Sequence, residues 1–370
     1  MGLVAVTGAT GHVGINLCRA LAAEGRELRV VGRRPLPAEA GLDGVEFAEA
    51  DVRDAAAVRR ALDGAELVFH VAARLSIAGD PDGSVWATNV EGTRNVVDAA
   101  LELGVRRLVH CGSIQAFDTR PHVRANPQEK PTWRKPRTVP PPPAPLDETA
   151  PAATAPDLPA YSRSKAAADA IVLDAVARGL DAVIGAPTGV LGPYDLEPSR
   201  LGAVLAGVAR RKPMVLVSGG HDWVDVRDVA EGLIAAGRQG RTGETYLLGG
   251  QWASLHRLTR LVAHANGVQP PSASVPLGLA AALAPHAKRC WAGAEAAGFT
   301  PEALAAIRWA PRVSHAKAEA DLGYRPRALE ETARDLVDWL VETGRAERRG
   351  DLLLGKDWRP RESDPRRRGR

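Results

Sequence analysis

Tyr161 and Lys165 stand four residues apart in "PAYSRSKAAAD", directly after a proline-rich stretch. On a helix, positions i and i+4 share a face, so the ammonium can approach the phenol. A free tyrosine ionises near about 10 and is a poor base at neutral pH. A cation within about 4–6 Å favours phenolate, commonly by about 1–3 units, and so makes tyrosine a usable acid/base. The same lysine is placed to hydrogen-bond a ribose. Because this spacing also occurs by chance on the wet face of ordinary helices, the pair takes its meaning from the site around it.

Ser113, in "HCGSIQAF", supplies a second hydroxyl. It follows a strand pattern, and parallel-sheet enzymes carry working residues at the carboxyl ends of their strands. There it would hold a substrate carbonyl or hydroxyl beside the tyrosine during hydride transfer. Asn89, in "NVEGTRN", is read as steadying the backbone or a water near the lysine, with local satisfaction inside its own helix as the alternative.

A nucleotide site is expected at "VTGATGHVG", residues 6 to 14, between a strand and a helix. Gly8 permits a sharp turn, Gly11 lets backbone approach a pyrophosphate, and Gly14 allows close helix packing. The N-terminus of the helix offers free N–H groups and positive dipole to the phosphates. The second strand ends in "RVVGRR", with Arg33 and Arg34 where NAD sites usually carry a carboxylate. Guanidinium groups fork onto a 2′-phosphate, so NADP(H) is favoured over NAD(H). Asp51 and Val52, in "EADVRD", are assigned to the adenine edge, Asp51 accepting from the exocyclic amine.

These residues need a scaffold, and the first half of the chain provides one. Strand-length apolar runs ("GLVAV", "LRVV", "VEFAEAD", "ELVFHVAA", "RRLVHCGS") alternate with segments of helical periodicity. Repeated βα units imply a doubly wound parallel sheet with helices on both faces, an α/β Rossmann fold. Between Pro121 and Pro159 lie twelve of the 28 prolines, a density that excludes helix and sheet interior and reads as a long loop. "YSRSKAAADAIVLDAVARG" follows as a helix ended by Gly179, and "DAVIGAPTG", "PMVLVSGG" and "ETYLLGG" read as further strands. Beyond Gly250 the pattern is mostly helical. The expected division is a dinucleotide-binding unit over 1–186, with an insertion at 118–160 and completed by about 219–250. A smaller, mostly helical substrate-binding unit takes 187–218 and 251–344, and a basic, disordered tail 345–370.

Composition narrows the function classes. The net charge of +4 invites a nucleic-acid reading, but the tail from Arg345 onward carries ten Arg and Lys against five Asp and Glu. The rest of the chain is therefore near neutral, and no nucleic-acid partner is expected. Three scattered cysteines suit neither a disulfide framework nor a zinc site, and no metal is expected. The opening residues run straight into a strand pattern and no apolar run of about 18 residues occurs, so no leader, anchor or membrane span is expected. The expected location is the cytoplasm.

With these residues assembled, the chain resembles the extended short-chain dehydrogenase/reductase family, also called the NAD-dependent epimerase/dehydratase family. The resemblance rests on TGxxGxxG from Thr7 to Gly14 (with His12 and Val13), the "DV" at Asp51, "HVAA" with Ala72 and Ala73, "NVEGTRN", Ser113, "YSRSK", "PTGVLGP" and "WVDVRDVAEG". "ETYLLGG" and the closing "KAEADLGYRPRALEETARDLVDWL" extend it to about residue 344. Within the family the chain is most similar to the dihydroflavonol reductase, 3β-hydroxysteroid dehydrogenase and hopanoid-associated epimerase-like branch. The resemblance implies Tyr161 as acid/base, Lys165 as its partner and ribose ligand, and Ser113 as the substrate-orienting hydroxyl. It also implies Ala72, Ala73 and the backbone from Pro187 to Val190 beside the cofactor, and a homodimer formed through the helices bearing Asn89 and Tyr161.

Three departures qualify the likeness. Ala186 stands where the family usually has arginine, and the loop from Phe117 to Ala160 is longer than typical. Ser113, Ile114 and Gln115 replace the Thr-Asp-Glu triplet of sugar-nucleotide dehydratases, which disfavours dehydration. The expected activity is interconversion of a secondary alcohol and a ketone on a small hydrophobic, polyketide-, flavonoid- or steroid-like molecule. The alternatives are an NAD-dependent sugar-nucleotide epimerase and a non-catalytic NADP sensor or scaffold using "VPPPPAP" as a partner ligand.

Overall fold

A computed structural model describes residues 2–76, 79–120, 144–280, 304 and 310–349. Residues 121–143 of the proline-rich insertion, Cys290 and residues 350–370 of the basic tail lie outside the described residues.

Alternation of apolar residues builds the main sheet. Its first half is β1 (Val4–Thr7), α1 (His12–Ala23), β2 (Leu28–Gly32), β3 (Glu46–Glu49), α2 (Ala55–Leu62) and β4 (Leu67–His70). A helical turn at Ser84–Trp86 and a π-turn at Ala87–Glu91 lead into α3 (Gly92–Glu102) and β5 (Arg107–Cys111). Then come α4 (Ala160–Ala177) and β6 (Ala182–Pro187). Successive strand residues face opposite sides. Val4, Val6, Val30, Phe69, Val109 and Val183 enter one core with Leu17 and Leu21 of α1. Ala5, Val31, Val68, Leu108 and Ile184 enter the other with Val58 of α2, Val97 of α3 and Val172 of α4.

The remaining elements are β7 (Gly189–Leu191), α5 (Arg200–Ala209), β8 (Leu216–Val217), β9 (Gly220–Asp225), α6 (Val226–Gln239), β10 (Thr245–Leu248), β11 (Gln251–Ser254), α7 (Leu255–Ala265), β12 (Ser274–Val275), α8 (Ala316–Leu322) and α9 (Leu329–Glu342). β10 returns to the main sheet, whose order is β10-β6-β5-β4-β1-β2-β3 with every pair parallel. The chain runs outward from β1 through β2 to β3, then crosses back to β4 on the other side. That reversal leaves a crevice outside the carboxyl ends of β1 and β4, where such sheets bind ligands.

A second layer is built from α5, α7 and α9, which share a core containing Leu205, Val262, Leu336 and Leu340. Strands β7, β9 and β11 form a separate three-stranded sheet, and β8 pairs with β12. "PMVLVSGG", read as a strand, forms only β8, outside the main sheet, whereas periodicity does not reveal β9, because "GHDWVD" carries too few apolar residues to stand out from a loop. An ionic knot ties the layers: Arg227 of α6 binds Asp225 at 2.6 Å and Asp335 of α9 at 2.7 Å. Arg327, just before α9, pairs with Asp228 and Glu231 of α6.

Candidate active site

A cleft of about 2550 Å³ runs along the carboxyl edge of the main sheet and out between the two layers. That is well above the usual size of a small-ligand pocket, so it has room for a dinucleotide and a second molecule. At its inner end is the turn after β1. Gly8 takes φ +70, and a Cβ there would lie 2.5 Å from the backbone nitrogen of Ala72. A Cβ on Gly14 would lie 2.2 Å from the carbonyl oxygen of Gly8. Glycine is thus required for the turn to close under the helix. No side chain caps the N-terminus of α1, which leaves its first N–H groups to a ligand. Thr7 itself is buried beneath: its hydroxyl meets His70 Nδ1 at 2.7 Å and accepts from the Ala72 N–H at 3.3 Å.

Thr10, Gly11, His12 and Val13 line the cleft, as do Arg33, Asp51, Val52, Ala72 and Ala73. Arg34 does not line it; its guanidinium pairs with Glu197 of the second layer. Asp51 is held by Arg53, through Nε at 3.0 Å and Nη2 at 2.7 Å, and these contacts bring its carboxyl down to about 2. Arg53, which the motif reading passes over, stands beside Arg33 in the lining. The residues present fit a nicotinamide dinucleotide: a glycine turn and open helix end for the pyrophosphate, with cations at the ribose end.

Ser113, Tyr161 and Lys165 come together farther along the same cleft. β5 ends at Cys111 and delivers Ser113 in extended backbone, its hydroxyl accepting from the Gln115 N–H at 3.1 Å. α4 starts at Ala160 behind Pro159, which places Tyr161 in its first turn. Ser113 and Tyr161 both line the cleft, and the serine hydroxyl acts on the phenol in the direction of ionisation. Lys165 is 2% exposed, and its Nζ donates to the Cys111 carbonyl at 2.8 Å.

One expectation is reversed. Burial pushes the Tyr161 phenol up, to about 12, against a smaller lowering by the Ser113 hydroxyl. Desolvation outweighs the acidification by lysine expected from the i, i+4 spacing, because the ammonium is directed to a main-chain carbonyl. A phenol in that state is a proton donor at neutral pH.

Asn89 does not line the cleft. From the π-turn its Oδ1 accepts from the Arg74 N–H at 2.7 Å, and its Nδ2 donates to the Arg74 carbonyl and to Ser164 Oγ, at 3.1 and 2.9 Å. It therefore clamps the loop after β4 onto α4. Pro187, at the end of β6, and Val190, in β7, also line the cleft.

A family model for the NAD dependent epimerase/dehydratase family matches residues 4–249. The chain belongs to the NAD-dependent epimerase/dehydratase family. It is 31% identical to sterol demethylase protein B of Methylococcus capsulatus over 344 residues, covering 92% of this chain and 98% of that one. It is 27% identical to a putative dihydroflavonol 4-reductase of Synechocystis, covering 92% and 94%. The fold is shared with a Thermus thermophilus UDP-glucose 4-epimerase solved with NAD, at TM-score 0.70 and 23% identity, covering 91% and 98%.

Two features of this epimerase/dehydratase family member were not singled out from its motifs. His12 and Asn16 of α1 both reach the Pro193 carbonyl, at 3.0 and 3.1 Å, and so pin the cofactor turn to the second layer. Burial lowers His12, so it meets that carbonyl as a neutral N–H donor. Behind Lys165, buried His70 and His110 and the largely buried Asp169 form a group that extends into the sheet. Among the described residues no cluster of His, Cys, Asp and Glu could hold a metal ion. No helix among them is long and apolar enough to cross a membrane.

Proposed function

We propose that the chain is an NADP(H)-dependent oxidoreductase that interconverts a secondary alcohol and a ketone, with Tyr161 as the acid/base. The observation that carries this reading is that Ser113, Tyr161 and Lys165 line the same cleft as the glycine turn. When bound there, the cofactor supplies or accepts the hydride at the carbinol carbon. In reduction, Ser113 orients the carbonyl oxygen and Tyr161 gives that oxygen its proton; in oxidation the phenolate takes it back. Lys165 holds the cofactor ribose and the strand end together. Arg33, with Arg53 beside it, supports preference for a 2′-phosphate.

The substrate end of the cleft supports an apolar substrate. Leu201, Val204, Val208, Met214 and Val217, from the part assigned to substrate binding (residues 187–218 and 251–344), line it together with Trp223 of β9. Relatives named for sterol and dihydroflavonol chemistry fit a polycyclic or aromatic molecule of that kind. Ser113-Ile114-Gln115 argues against dehydration. We further assign the protein to the cytoplasm, as a homodimer.

The test is titration with NADPH and NADH followed by a carbonyl-substrate panel, with Tyr161→Phe as the control. Turnover should fall at least about 100-fold while NADPH affinity stays within about threefold. Unchanged turnover would refute the assignment. A second reading, a sugar-nucleotide epimerase, is favoured by Arg211 and Lys212, cations on the same cleft that could meet a diphosphate. Purified protein carrying bound NAD, with no net consumption of free cofactor, would decide for it.

A further inference from the structure

Asp169 lies one helical turn beyond Lys165 on α4 and lines no part of the cleft. Its side chain is packed under the backbone that leads to Ser113. A Cβ added to Gly112 would sit 3.3 Å from Asp169 Oδ1 and 2.9 Å from the Ile184 methyl, so the missing side chain at 112 makes room for the carboxyl. Across from it is His110, whose Nε2 is 3.3 Å from Asp169 Oδ1. His110 is 1% exposed, and neither ring nitrogen has a hydrogen-bond partner of good geometry; nor does Asp169 Oδ1. Next in line is His70, its ring centroid 5.2 Å from that of His110, with its own nitrogens engaged by Thr7 and Thr93.

Buried polar groups are normally satisfied, and a half-satisfied buried pair is costly unless it serves a charge nearby. The charge here is Lys165, whose ammonium interacts electrostatically with Asp169, His110 and His70 alike. The groups facing Asp169 are Tyr161 and Lys165 from its own helix, His110 and Cys111 from β5, and His70 behind them from β4; β6 contributes the apolar Ile184.

We propose that Asp169, backed by His110, is a positioning residue for the reaction: it is the counter-charge to buried Lys165 and sets the field in which the Tyr161 hydroxyl gives up its proton. This rests on the reading of Tyr161 as the acid/base. Burial pushes Asp169 up to about 7, so the counter-charge switches within the neutral range. Both histidines stay neutral there, since burial drives them well below their ordinary value. The Asp169 carboxylate raises the phenol and weakens it as a donor, whereas the protonated carboxyl does not. The rate of ketone reduction should therefore step down between two plateaus as pH rises through about 7.

The experiment is the pH dependence of kcat for NADPH-driven ketone reduction, from pH 6 to 8.5, in the native chain, Asp169→Asn, Asp169→Glu and Tyr161→Phe. The native profile should step down severalfold near neutrality. Asp169→Asn should be flat across the range at the level of the acidic plateau, with KM for the ketone within twofold, and Asp169→Glu should restore a step. Native and Asp169→Asn profiles that superimpose would overturn the proposal, as would loss of stability with no change in profile. If Asp169→Asn does not fold, Asp169→Ser serves instead: it too lacks a titrating carboxyl, so its profile should be flat, whereas a step retained near neutrality would count against the proposal. Full turnover in Tyr161→Phe would instead locate the failure in the assignment of Tyr161.

Discussion

The Lys165 ammonium donates to the carbonyl oxygen of Cys111 at 2.8 Å, and Cys111 is the last residue of the strand that delivers Ser113. The lysine thus ties α4, which carries Tyr161, to the end of β5, which leads to Ser113. A buried ammonium hydrogen-bonded to backbone fixes the relative position of Tyr161 and Ser113 more firmly than a direct contact with the phenol would. It also explains why the phenol keeps its proton: the cation is engaged elsewhere and burial dominates.

Replacing Lys165 with Met should separate these roles from simple packing. The methylene stem is kept, but the Cys111 carbonyl loses its donor. We expect kcat to fall about 100-fold or more and KM for NADPH to rise, with the circular dichroism spectrum unchanged. Steady-state kinetics showing wild-type KM and kcat would remove Lys165 from the site.

Cofactor choice should depend on Arg33 more than on Arg34. Arg33 lines the cleft, whereas Arg34 is paired with Glu197, both side chains being more than half exposed. A charge-assisted contact to phosphate is worth about 1.5–3 kcal/mol. Arg33→Ala should therefore weaken NADPH at least about tenfold and leave NADH nearly unchanged. Arg34→Ala should cost less. Fluorescence titration of both cofactors checks it, and equal losses for NADPH and NADH would place the 2′-phosphate elsewhere.

The main sheet was legible because its strands alternate strictly into two cores, and because the glycine turn sits after the first of them. Ser113, Tyr161 and Lys165 were found from strand ends and helix spacing, and the fold does bring them to one cleft. What spacing could not convey is where the ammonium points, which depends on the main-chain carbonyl of Cys111. Nor could it show His70, His110 and Asp169 as one group, since they come from two strands and a helix up to 99 positions apart. The three-stranded sheet of β7, β9 and β11 was hidden for a different reason: β7 is only three residues long, and β9 and β11, of six and four, are half polar, so none carries a periodic signal.

Dimerisation is testable at two exposed apolar residues. Leu173 on α4 and Trp86 in the turn before α3 are each 42% exposed, on helices that pack side by side. A second copy would cover them. Leu173→Arg should convert a dimer to a monomer in light scattering after size exclusion, with secondary structure retained. A native chain that elutes as a monomer would dispose of the assembly altogether.

Asp169 should also leave a mark on stability. Its carboxyl is held up at about 7, whereas an unfolded chain releases that proton near 4. Between those values the folded protein binds more protons than the unfolded one, so stability falls as pH rises through the window and levels off above 7. Asparagine has no such dependence. The difference in Tm, Asp169→Asn minus native, should therefore grow more positive from pH 4.5 to pH 8. A constant difference across that range would mean that the carboxyl titrates normally in the fold.

The glycine turn separates folding from binding in a single pair of substitutions. A Cβ on Gly14 would collide with the Gly8 carbonyl and lie 2.6 Å from the Ala9 Cα, both backbone atoms that cannot move aside. Gly14→Ala should cost about 1–3 kcal/mol or more from overpacking, and so lower Tm by several degrees. At Gly11 φ is −80, an ordinary value for alanine, and the nearest atom to an added Cβ is 3.3 Å away. Gly11→Ala should keep Tm within about two degrees of the native chain. Its methyl nonetheless stands where the turn meets a pyrophosphate, so nucleotide affinity should fall at least about tenfold. Differential scanning calorimetry with NADPH titration of both variants reads the two effects independently. If Gly11→Ala binds NADPH as tightly as the native chain, the phosphates do not lie on this turn, and the reading of the cleft as a dinucleotide site fails with it.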